Sequence, residues 1–463
     1  MEKLSSKLPN EFVLRMKSDL GSDFEKYIDA FNDKAVRGLR VNTKKITIED
    51  FLKNFNYDLK PINYSSDGFI FNDNQKIGGD IAHLAGLVYM QEPSSMLAVC
   101  ASGIERENRP LKILDLCASP GGKTGQIVCR VSDDSIIISN EIIKSRADVL
   151  YSNIERQGFK NVVVTSETPE SFLLFENYFD YVFVDAPCSG EGMFRKNPET
   201  IGEWSKENVK MCQNRQKQIL DVAKKLVAPN GILVYSTCTF SSEEDEDIVK
   251  WLVNSGNFEI QKIPSEIANI TKHSVVEGQK NYAVKFYPYL AAGEGQFVAV
   301  LKKVSEENKI KLYKKKHFKS IERAGRSSLK LFEQFVSENL IEKIYGKIYQ
   351  VGSNLFLAPN AFDETLQTAF DELKFVSIGT KLGSVTNGRF EPNHALFIAF
   401  DRLFKHRIEL DEVEIKKYLH GEELVGKTNV KGYAVVTAKG YALGGVRLAG
   451  GKLKNLYPKG LRN

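Results

Sequence analysis

Cysteine is scarce in this chain, and its spacing argues against two common kinds of site. The 463 residues contain six cysteines, none of which forms a Cys-x-x-Cys pair. Structural zinc sites usually need such pairs, and small disulfide scaffolds need a much higher density of cysteine. We therefore expect no metal site and reduced thiols in a cytoplasmic protein.

Long apolar runs are also missing. No stretch approaches the roughly 20 apolar residues that cross a membrane, and the charged start at Met1–Ser5 predicts no signal peptide. The chain is 42% hydrophobic and 27% charged, which is ordinary for a globular protein, and its length predicts several domains. We expect no membrane partner and, since nothing indicates an obligate dimer, a monomer.

Acidic residues are depleted in two segments. Residues 302–330 hold eleven Lys or Arg against three Glu, and residues 424–463 hold eight Lys or Arg with no Asp or Glu. Basic segments on a near-neutral body favour a polyanionic partner. Each run by itself is equally compatible with an ordinary solvated surface.

The pattern of the chain predicts four regions. Residues 1–110 mix helix and strand, with Thr47 as a helix N-cap and Asp50 three residues on. From residue 111, short apolar strands alternate with helices, which is typical of a parallel sheet covered on both faces. The predicted strands are Leu111–Leu116, Ser135–Ser139, Asn161–Thr165, Asp180–Asp185 and Gly231–Ser236, followed by a hairpin at 282–304. A linker with a further α+β domain (305–400) and a β-rich module (401–463) complete the prediction.

The first predicted strand ends in a glycine turn. Asp115–Thr124 reads DLCASPGGKT, which lacks the glycine pattern of a Walker phosphate loop and of a dinucleotide-binding loop. Such a turn lets the backbone approach a nucleotide-like ligand without phosphates, for which S-adenosylmethionine is the common case. Glu141, after the second strand, is placed to accept hydrogen bonds from ribose hydroxyls. The predicted cofactor loop is Cys117, Ala118, Ser119, Pro120, Gly121, Gly122 and Lys123.

Two cysteines follow the fourth and fifth strands. Cys188 lies in Asp185-Ala-Pro-Cys and Cys238 lies in Ser236-Thr-Cys. A lone cysteine is most often an inert buried residue. Two of them at the ends of strands that neighbour each other in a methyltransferase-type sheet, beside the carboxylate of Asp185, instead favour a shared catalytic cleft.

Thiols at this place suit methylation of cytosine carbon 5. A thiolate added to carbon 6 makes carbon 5 nucleophilic, Asp185 near N3 would stabilise the adduct, and Lys123 would favour the thiolate. The base must leave its stack for the thiol to attack from above the ring. Amine methylation is disfavoured, because the Asn/Asp-Pro-Pro-aromatic motif is replaced by Asp185-Ala-Pro-Cys. These residues do not by themselves decide which cysteine attacks.

The motifs resemble the Nol/Nop/Sun family of RNA cytosine carbon-5 methyltransferases, and within it the bacterial RsmF-type subfamily. The matching stretches are LRVNT (39–43), QEPSSM (91–96), LCASPGGKT (116–124), DAPCSGEGMFRKNPE (185–199), YSTCTFSSEEDE (235–246), RFEPNHAL (389–396) and GGKLKNLYPKGLR (450–462).

The resemblance implies a Rossmann-like class I methyltransferase domain (111–304), an N-terminal α+β RNA-recognition region (1–110) and a C-terminal PUA-like module (401–463). It assigns the nucleophile to Cys238 and links Cys188 to product release. The implied partner is rRNA, of the small subunit, either naked or in the 30S particle. Residues expected at the RNA are Lys123, Arg447, Lys452, Lys454, Lys459 and Arg462.

Other interpretations are a non-catalytic ribosome-assembly factor, a tRNA methyltransferase and a DNA cytosine methyltransferase. The intact cysteine and glycine motifs argue against a pure binding protein, and the basic segments with the Thr-Cys motif argue against DNA. The acidic run Glu243–Asp247 is interpreted as the first turn of a helix capped by Ser241 or Ser242, where carboxylates favour the dipole.

Overall fold

The N-terminal part combines short helices with a small antiparallel sheet. The computed structural model describes residues 4–304, 321–362, 364–370, 372–426 and 430–462. The sheet has the order β2-β3-β1-β4, and the predicted N-cap is confirmed, since the Asp50 amide donates to Thr47 Oγ1 at 3.0 Å. The elements are α1 (Asn10–Leu20), α2 (Phe24–Phe31), β1 (Arg37–Val41), α3 (Ile48–Asn54), β2 (Leu59–Ile62), β3 (Ser65–Phe71), α4 (Ile81–Leu84), β4 (Val88–Met90) and α5 (Leu97–Ala101).

The central sheet contains all five predicted parallel strands. Its order is β11-β12-β13-β9-β8-β5-β6-β7-β17, with β10 beside β13. The elements are β5 (Lys112–Asp115), α6 (Gly122–Arg130), β6 (Ile136–Asn140), α7 (Lys144–Gln157), β7 (Val162–Thr165), β8 (Phe179–Asp185), α8 (Lys206–Leu226), β9 (Val227–Thr237), α9 (Glu246–Asn254), β10 (Phe258–Ile260), α10 (Ser265–Ala268), β11 (Lys272–Val275), β12 (Tyr282–Phe286) and β13 (Gln296–Lys303).

Antiparallel strands close both sides of this parallel core. The predicted hairpin is confirmed, because β12 pairs with β13, and β13 pairs with β9. On the other side of the sheet, β17 (Phe375–Ile378), which comes from the C-terminal half of the chain, pairs with β7. Buried side chains form one apolar cluster on each face of the sheet, so the prediction of a doubly covered sheet is confirmed.

Two further sheets follow the central one. The first has the order β14-β15-β16-β18-β19 and the second β20-β22-β23-β24-β21. Of the basic segment 302–330, residues 305–320 lie outside the described part of the chain. The elements are β14 (Glu322–Arg323), α11 (Arg326–Asn339), β15 (Ile348–Val351), β16 (Asn354–Leu357), α12 (Glu364–Phe370), β17 (Phe375–Ile378), β18 (Thr380–Thr386), β19 (Arg389–Pro392), α13 (His394–Ala399), β20 (Arg407–Glu409), α14 (Glu412–His420), β21 (Leu424–Val425), β22 (Gly432–Ala438), β23 (Tyr441–Ala449) and β24 (Lys452–Asn455).

The two ends of the chain share one apolar cluster. Leu39, Val41 and Phe51 of the N-terminal sheet and its helix pack together with Val436 and Leu448 of the last sheet. The C-terminal module is therefore packed against the N-terminal region, and a hydrogen bond joins Asn54 to Tyr441 across 387 positions. No helix within the described residues is long and apolar enough to cross a membrane.

Candidate active site

The two predicted cysteines lie side by side. Strands β8 and β9 are parallel neighbours, and Asp185 is in register with Ser236. Both strands therefore end at the same edge of the sheet. The Sγ atoms of Cys188 and Cys238 are 3.3 Å apart, and both residues are partly exposed. Strand pairing thus brings two thiols fifty residues apart into one cleft.

The two thiols interact with each other directly. The hydrogen bond with Cys238 and the burial of the site raise the pKa of Cys188 well above the usual value for a thiol. Either sulfur can be the donor in this contact. A donated hydrogen bond favours the thiolate form of the sulfur that accepts it.

A carboxylate and an ammonium group lie in the same cleft. Asp185 Oδ2 is 2.8 Å from Lys123 Nζ, and Asp185 Oδ1 accepts from Ser236 Oγ at 2.7 Å and from Gln296 Nε2 at 3.4 Å. Burial lowers the pKa of Lys123, but the charge and hydrogen bond of Asp185 outweigh it, so the pKa is raised. Lys123 is thus a buried cation paired with Asp185.

The predicted cofactor loop connects β5 to α6. Gly121 has φ 108°, a left-handed value that favours glycine, and it immediately precedes the helix. The loop is tied to the second strand, since the Ala118 amide donates to the Asn140 carbonyl at 2.8 Å and the Asn140 amide group donates to the Leu116 carbonyl at 3.2 Å. Residues 117–123 therefore form a fixed turn at the edge of the sheet that carries the cysteines.

Asp115, to which the sequence assigned no role, also belongs to this edge. Its Oδ2 accepts from Thr124 Oγ1 at 2.7 Å, whereas Oδ1 is buried and has no hydrogen-bond partner among the described residues. Burial raises the pKa of this carboxyl to about 7. An unpaired buried acceptor suits a ligand that carries an amino group. A carboxylate directly before a glycine turn was the signal that could have identified it.

Glu141 follows β6, as predicted. The side chain is buried, its Oε1 accepts from the Ile143 amide at 3.0 Å, and Oε2 is 3.3 Å from Arg146. At the next strand end, Glu167 Oε1 accepts from the Lys374 amide at 2.6 Å. A segment of the C-terminal half therefore contacts the loop that follows the third strand of the core.

The interpretation of the acidic run is wrong for three of its residues, since Glu243, Glu244 and Asp245 precede the helix. Helix α9 begins at Glu246, and neither Ser241 nor Ser242 caps it. Glu244 and Asp245 precede the helix and are fully buried. Asp245 Oδ1 accepts from Thr237 Oγ1 at 2.6 Å, directly before Cys238. Asp245 therefore holds the residue before Cys238, and Glu244 holds the residue after Cys188, both from the buried side of the loops. Neither carboxylate lies in the first turn of a helix.

Two Gly-Glu-Gly turns pack against each other at the wall of the cleft. A Cβ atom on Gly192 would come within 2.7 Å of the Gly295 Cα atom, so both positions require glycine. The buried carboxylate of Glu191 accepts from Arg15 of α1 and, at 2.7 Å, from Trp204 Nε1. The N-terminal helices are thereby anchored to the loop that follows Cys188.

The expected RNA contacts other than Lys123 lie in the C-terminal module, with Arg447, Lys452 and Lys454 on its sheet and Lys459 and Arg462 after its last strand. Arg447 and Lys454 face each other across β23 and β24, and both are exposed. Lys452 is also exposed, but it pairs with Glu423 at 2.9 Å. Lys459 is exposed, whereas the Arg462 guanidinium donates to the Tyr457 carbonyl at 3.1 Å. Among the described residues, no cluster of His, Cys, Asp and Glu could hold a metal ion.

Four protein-family models match the chain in succession. They are the N-terminal domain of 16S rRNA methyltransferase RsmF (residues 8–93), 16S rRNA methyltransferase RsmB/F (104–302), the RsmF rRNA methyltransferase first C-terminal domain (334–400) and the methyltransferase RsmF PUA domain (405–463). The last match confirms the predicted PUA-like C-terminal module.

Curated relatives match along nearly the whole chain. The ribosomal RNA small subunit methyltransferase F of Enterobacter sp. (strain 638) is 31% identical over 98% of this chain and 95% of the relative. The protein of the same name from Klebsiella pneumoniae (strain 342) is 30% identical over 98% of this chain and 96% of the relative.

Solved structures confirm the predicted Rossmann-like methyltransferase fold. A methyltransferase homolog protein from Pyrococcus horikoshii has a TM-score of 0.53 at 25% identity, covering 65% of this chain and 99% of its own. NSun6 from Pyrococcus horikoshii has a TM-score of 0.55 at 21% identity, covering 64% of this chain and 99% of its own.

Proposed function

Because this chain belongs to the RsmF family of 16S rRNA methyltransferases, we propose that it methylates carbon 5 of cytosine through a covalent adduct on Cys238. The observation that carries the proposal is the 3.3 Å separation of the Sγ atoms of Cys188 and Cys238. Methylation of an amine or a hydroxyl group has no need of two adjoining thiols.

In the proposed reaction the Cys238 thiolate adds to carbon 6, and the electrons of the carbon 5–carbon 6 double bond become available at carbon 5. N3 takes up a proton from water as the adduct forms, and the carboxylate of Asp185, held by Lys123 at 2.8 Å, accepts a hydrogen bond from this N3–H and so stabilises the adduct. Carbon 5 then takes the methyl group, the bonding electrons stay on the sulfur of the methyl donor, and water acting as a base removes the carbon 5 proton. The electron pair of that C–H bond restores the double bond and expels the Cys238 thiolate, and N3 returns its proton to water.

The two thiols are proposed to have different roles. Either sulfur can donate to the other at 3.3 Å, and we assign the donor role to Cys188, whose pKa is raised by the hydrogen bond with Cys238 and by burial. That arrangement supports Cys238 as the nucleophile, since attack requires a thiolate. It agrees with the division of labour implied by the Nol/Nop/Sun motifs, in which Cys188 assists release.

An rRNA methyltransferase requires a methyl donor, and we propose S-adenosylmethionine, held by residues 117–123, Glu141 and Asp185. When bound, it supplies an electrophilic methyl group. The unpaired, buried Asp115 Oδ1 fits the amino group of such a ligand, and the Glu141 carboxylate at the end of β6 fits ribose hydroxyls.

Glu141→Gln should weaken S-adenosylmethionine binding with a smaller effect on the methyl-transfer step. Charge-assisted hydrogen bonds contribute about 1.5–3 kcal/mol, which corresponds to a roughly 10–100-fold higher Kd. Isothermal titration would measure this change. Asp148→Asn is the matched control, because Asp148 lies on the following helix with 54% of its side chain exposed. Equal Kd values for the two variants would contradict the assignment of Glu141.

We further propose that the substrate is small-subunit rRNA and that residues 1–110 and 401–463 recognise it. In the sequence these two regions flank the catalytic domain (111–304) and the linker with its further domain (305–400). The proposed RNA contacts are Lys123, Arg447, Lys452, Lys454 and Lys459. The last four are exposed cations of the kind that neutralise phosphates, whereas Lys123 lies in the cleft beside Asp185. Support comes from the apolar cluster shared by the two ends of the chain. The protein is proposed to act as a monomer on rRNA or on the 30S subunit.

The target is tested with radiolabelled S-adenosylmethionine and four acceptors: small-subunit rRNA, 30S subunits, tRNA and duplex DNA. We expect label in rRNA or in 30S subunits, recovered as 5-methylcytidine after nucleoside digestion. Label confined to tRNA or to DNA would overturn the substrate assignment. Tight rRNA binding without transfer to any acceptor would favour a ribosome-assembly factor.

A further inference from the structure

The residue after each cysteine turns away from the cleft. Ser189 and Thr239 are buried, whereas Cys188 and Cys238 are partly exposed. The hydroxyl oxygens of Ser189 and Thr239 lie 2.8 Å apart. The two cysteine loops are therefore joined twice, by sulfur in the cleft and by hydroxyl groups in the interior.

Glu244 organises the interior join. Its Oε1 accepts from Ser189 Oγ, and its Oε2 accepts from the Ser189 amide at 3.0 Å. Because the single Ser189 hydroxyl hydrogen is donated to Glu244, the hydroxyl of Thr239 must donate to Ser189. While Glu244 is ionised it can only accept, so it sets the direction of the hydrogen bonds made by the Ser189 and Thr239 hydroxyls.

The same carboxylate supports the other side of Cys188. Gln216 Nε2 donates to Glu244 Oε2 at 2.7 Å and to the Pro187 carbonyl at 3.1 Å. Burial raises the pKa of Glu244 to about 7, while the donors from Ser189 and Gln216 oppose that rise. The residues before and after Cys188 are thus both fixed through the Glu244–Gln216 pair.

We propose that Glu244 is a positioning residue for product release, which holds the Cys188 thiol against Cys238 through Ser189, Thr239 and Gln216. This inference rests on the proposed function, in which Cys188 assists release and Cys238 attacks. Glu244 lies behind the loops and, among the described residues, forms hydrogen bonds with Ser189 and Gln216 and not with either thiol. It would act on Cys188 through the backbone of the loop and through its charge.

Release should depend on Glu244 more than attack does, because the loop of Cys238 has separate supports. Cys238 continues directly from β9, and the preceding residue, Thr237, is held by Asp245. The amide of Ser189, in contrast, donates to Glu244 itself. Loss of the carboxylate should displace Cys188 while Cys238 keeps its place.

The test is Glu244→Gln in the full-length protein, assayed with labelled S-adenosylmethionine and the rRNA acceptor. The side-chain NH₂ of the introduced glutamine would face Ser189 or Gln216, which are themselves donors to Glu244, so one of these hydrogen bonds would be lost. We expect the rate of the first turnover to be near normal and a denaturation-resistant protein–RNA adduct to accumulate. The steady-state rate should fall by about 10²-fold, which is the effect of misplacing a catalytic group by about 1 Å. A purely structural role would lower both rates equally without adduct.

Three variants serve as controls. Asp247→Asn, an exposed acid in the same run, should behave like the wild type. Thr239→Val should accumulate adduct, and Thr239→Ser, which keeps the hydroxyl, should not. This pair decides the matter even if Glu244→Gln folds poorly, because neither substitution buries a charge.

The outcomes separate this inference from the function on which it rests. If Cys188→Ala accumulates adduct but Glu244→Gln and Thr239→Val do not, Glu244 has no positioning role and the proposed reaction stands. If Cys188→Ala itself forms no adduct, the proposed role of Cys188 fails, and the inference fails with it.

Discussion

Replacing Cys238 by alanine is expected to abolish methyl transfer and to leave no covalent protein–RNA complex. The substitution removes the only group proposed to add to carbon 6, and loss of a covalent nucleophile typically lowers the rate by about 10⁴-fold or more. Single-turnover transfer of labelled methyl groups to rRNA measures the effect. Binding of rRNA should persist, because the expected phosphate contacts lie mainly on the last sheet.

Cys212→Ala is the matched control for this variant. Cys212 is a buried cysteine of α8, outside the strand-end loops, so its loss should affect stability modestly and the chemical step little. If the Cys238→Ala protein forms a covalent adduct, the assignment of Cys238 as the nucleophile is wrong and Cys188 is the nucleophile. Undiminished transfer by this variant would exclude thiol catalysis altogether.

Replacing Cys188 by alanine is expected to trap the enzyme on its product. Attack and methylation need only Cys238, so the first turnover should stay within about 10-fold of the wild type, while repeated turnover stops. The trapped species should survive denaturing electrophoresis and disappear on treatment with ribonuclease. Its amount should approach one adduct per enzyme molecule.

The double variant Cys188→Ala/Cys238→Ala completes the cycle. It should form no adduct, because the trapped species requires the Cys238 thiolate. If Cys188→Ala turns over like the wild type, the 3.3 Å contact between the thiols has no function in release. If it loses the first turnover as well, Cys188 takes part in attack or in methyl transfer.

The meeting of the two cysteines could be predicted, because it depends on strand order in a common sheet class. Cys188 and Cys238 follow apolar strands, and those strands are parallel neighbours in the structure. The division of roles was a different matter: residue types at strand ends do not rank two thiols. The contact between the sulfurs does not rank them either, because each can donate to the other, so the assignment of roles comes from the family motifs.

Other parts of the site could not be predicted from local sequence. The run at Glu243–Asp247 has the composition of a helix start, yet Glu244 is buried against Ser189, 55 positions earlier. Arg15 reaches Glu191 across 176 positions. No local pattern distinguishes such residues from solvated charges, because their burial is decided by segments that arrive from elsewhere in the chain.

The sequence by itself determined where strands, helices and turns lie and which side chains close each strand, because hydrophobic periodicity and glycine turns act between near neighbours. It also determined the family, through motifs that include both cysteines. Only the tertiary structure decided that β17 would extend the catalytic sheet, that the two ends of the chain would share an apolar cluster and that Glu244 would lie behind both cysteine loops. Those contacts join residues distant in the chain, so they depend on the packing of all the segments at once.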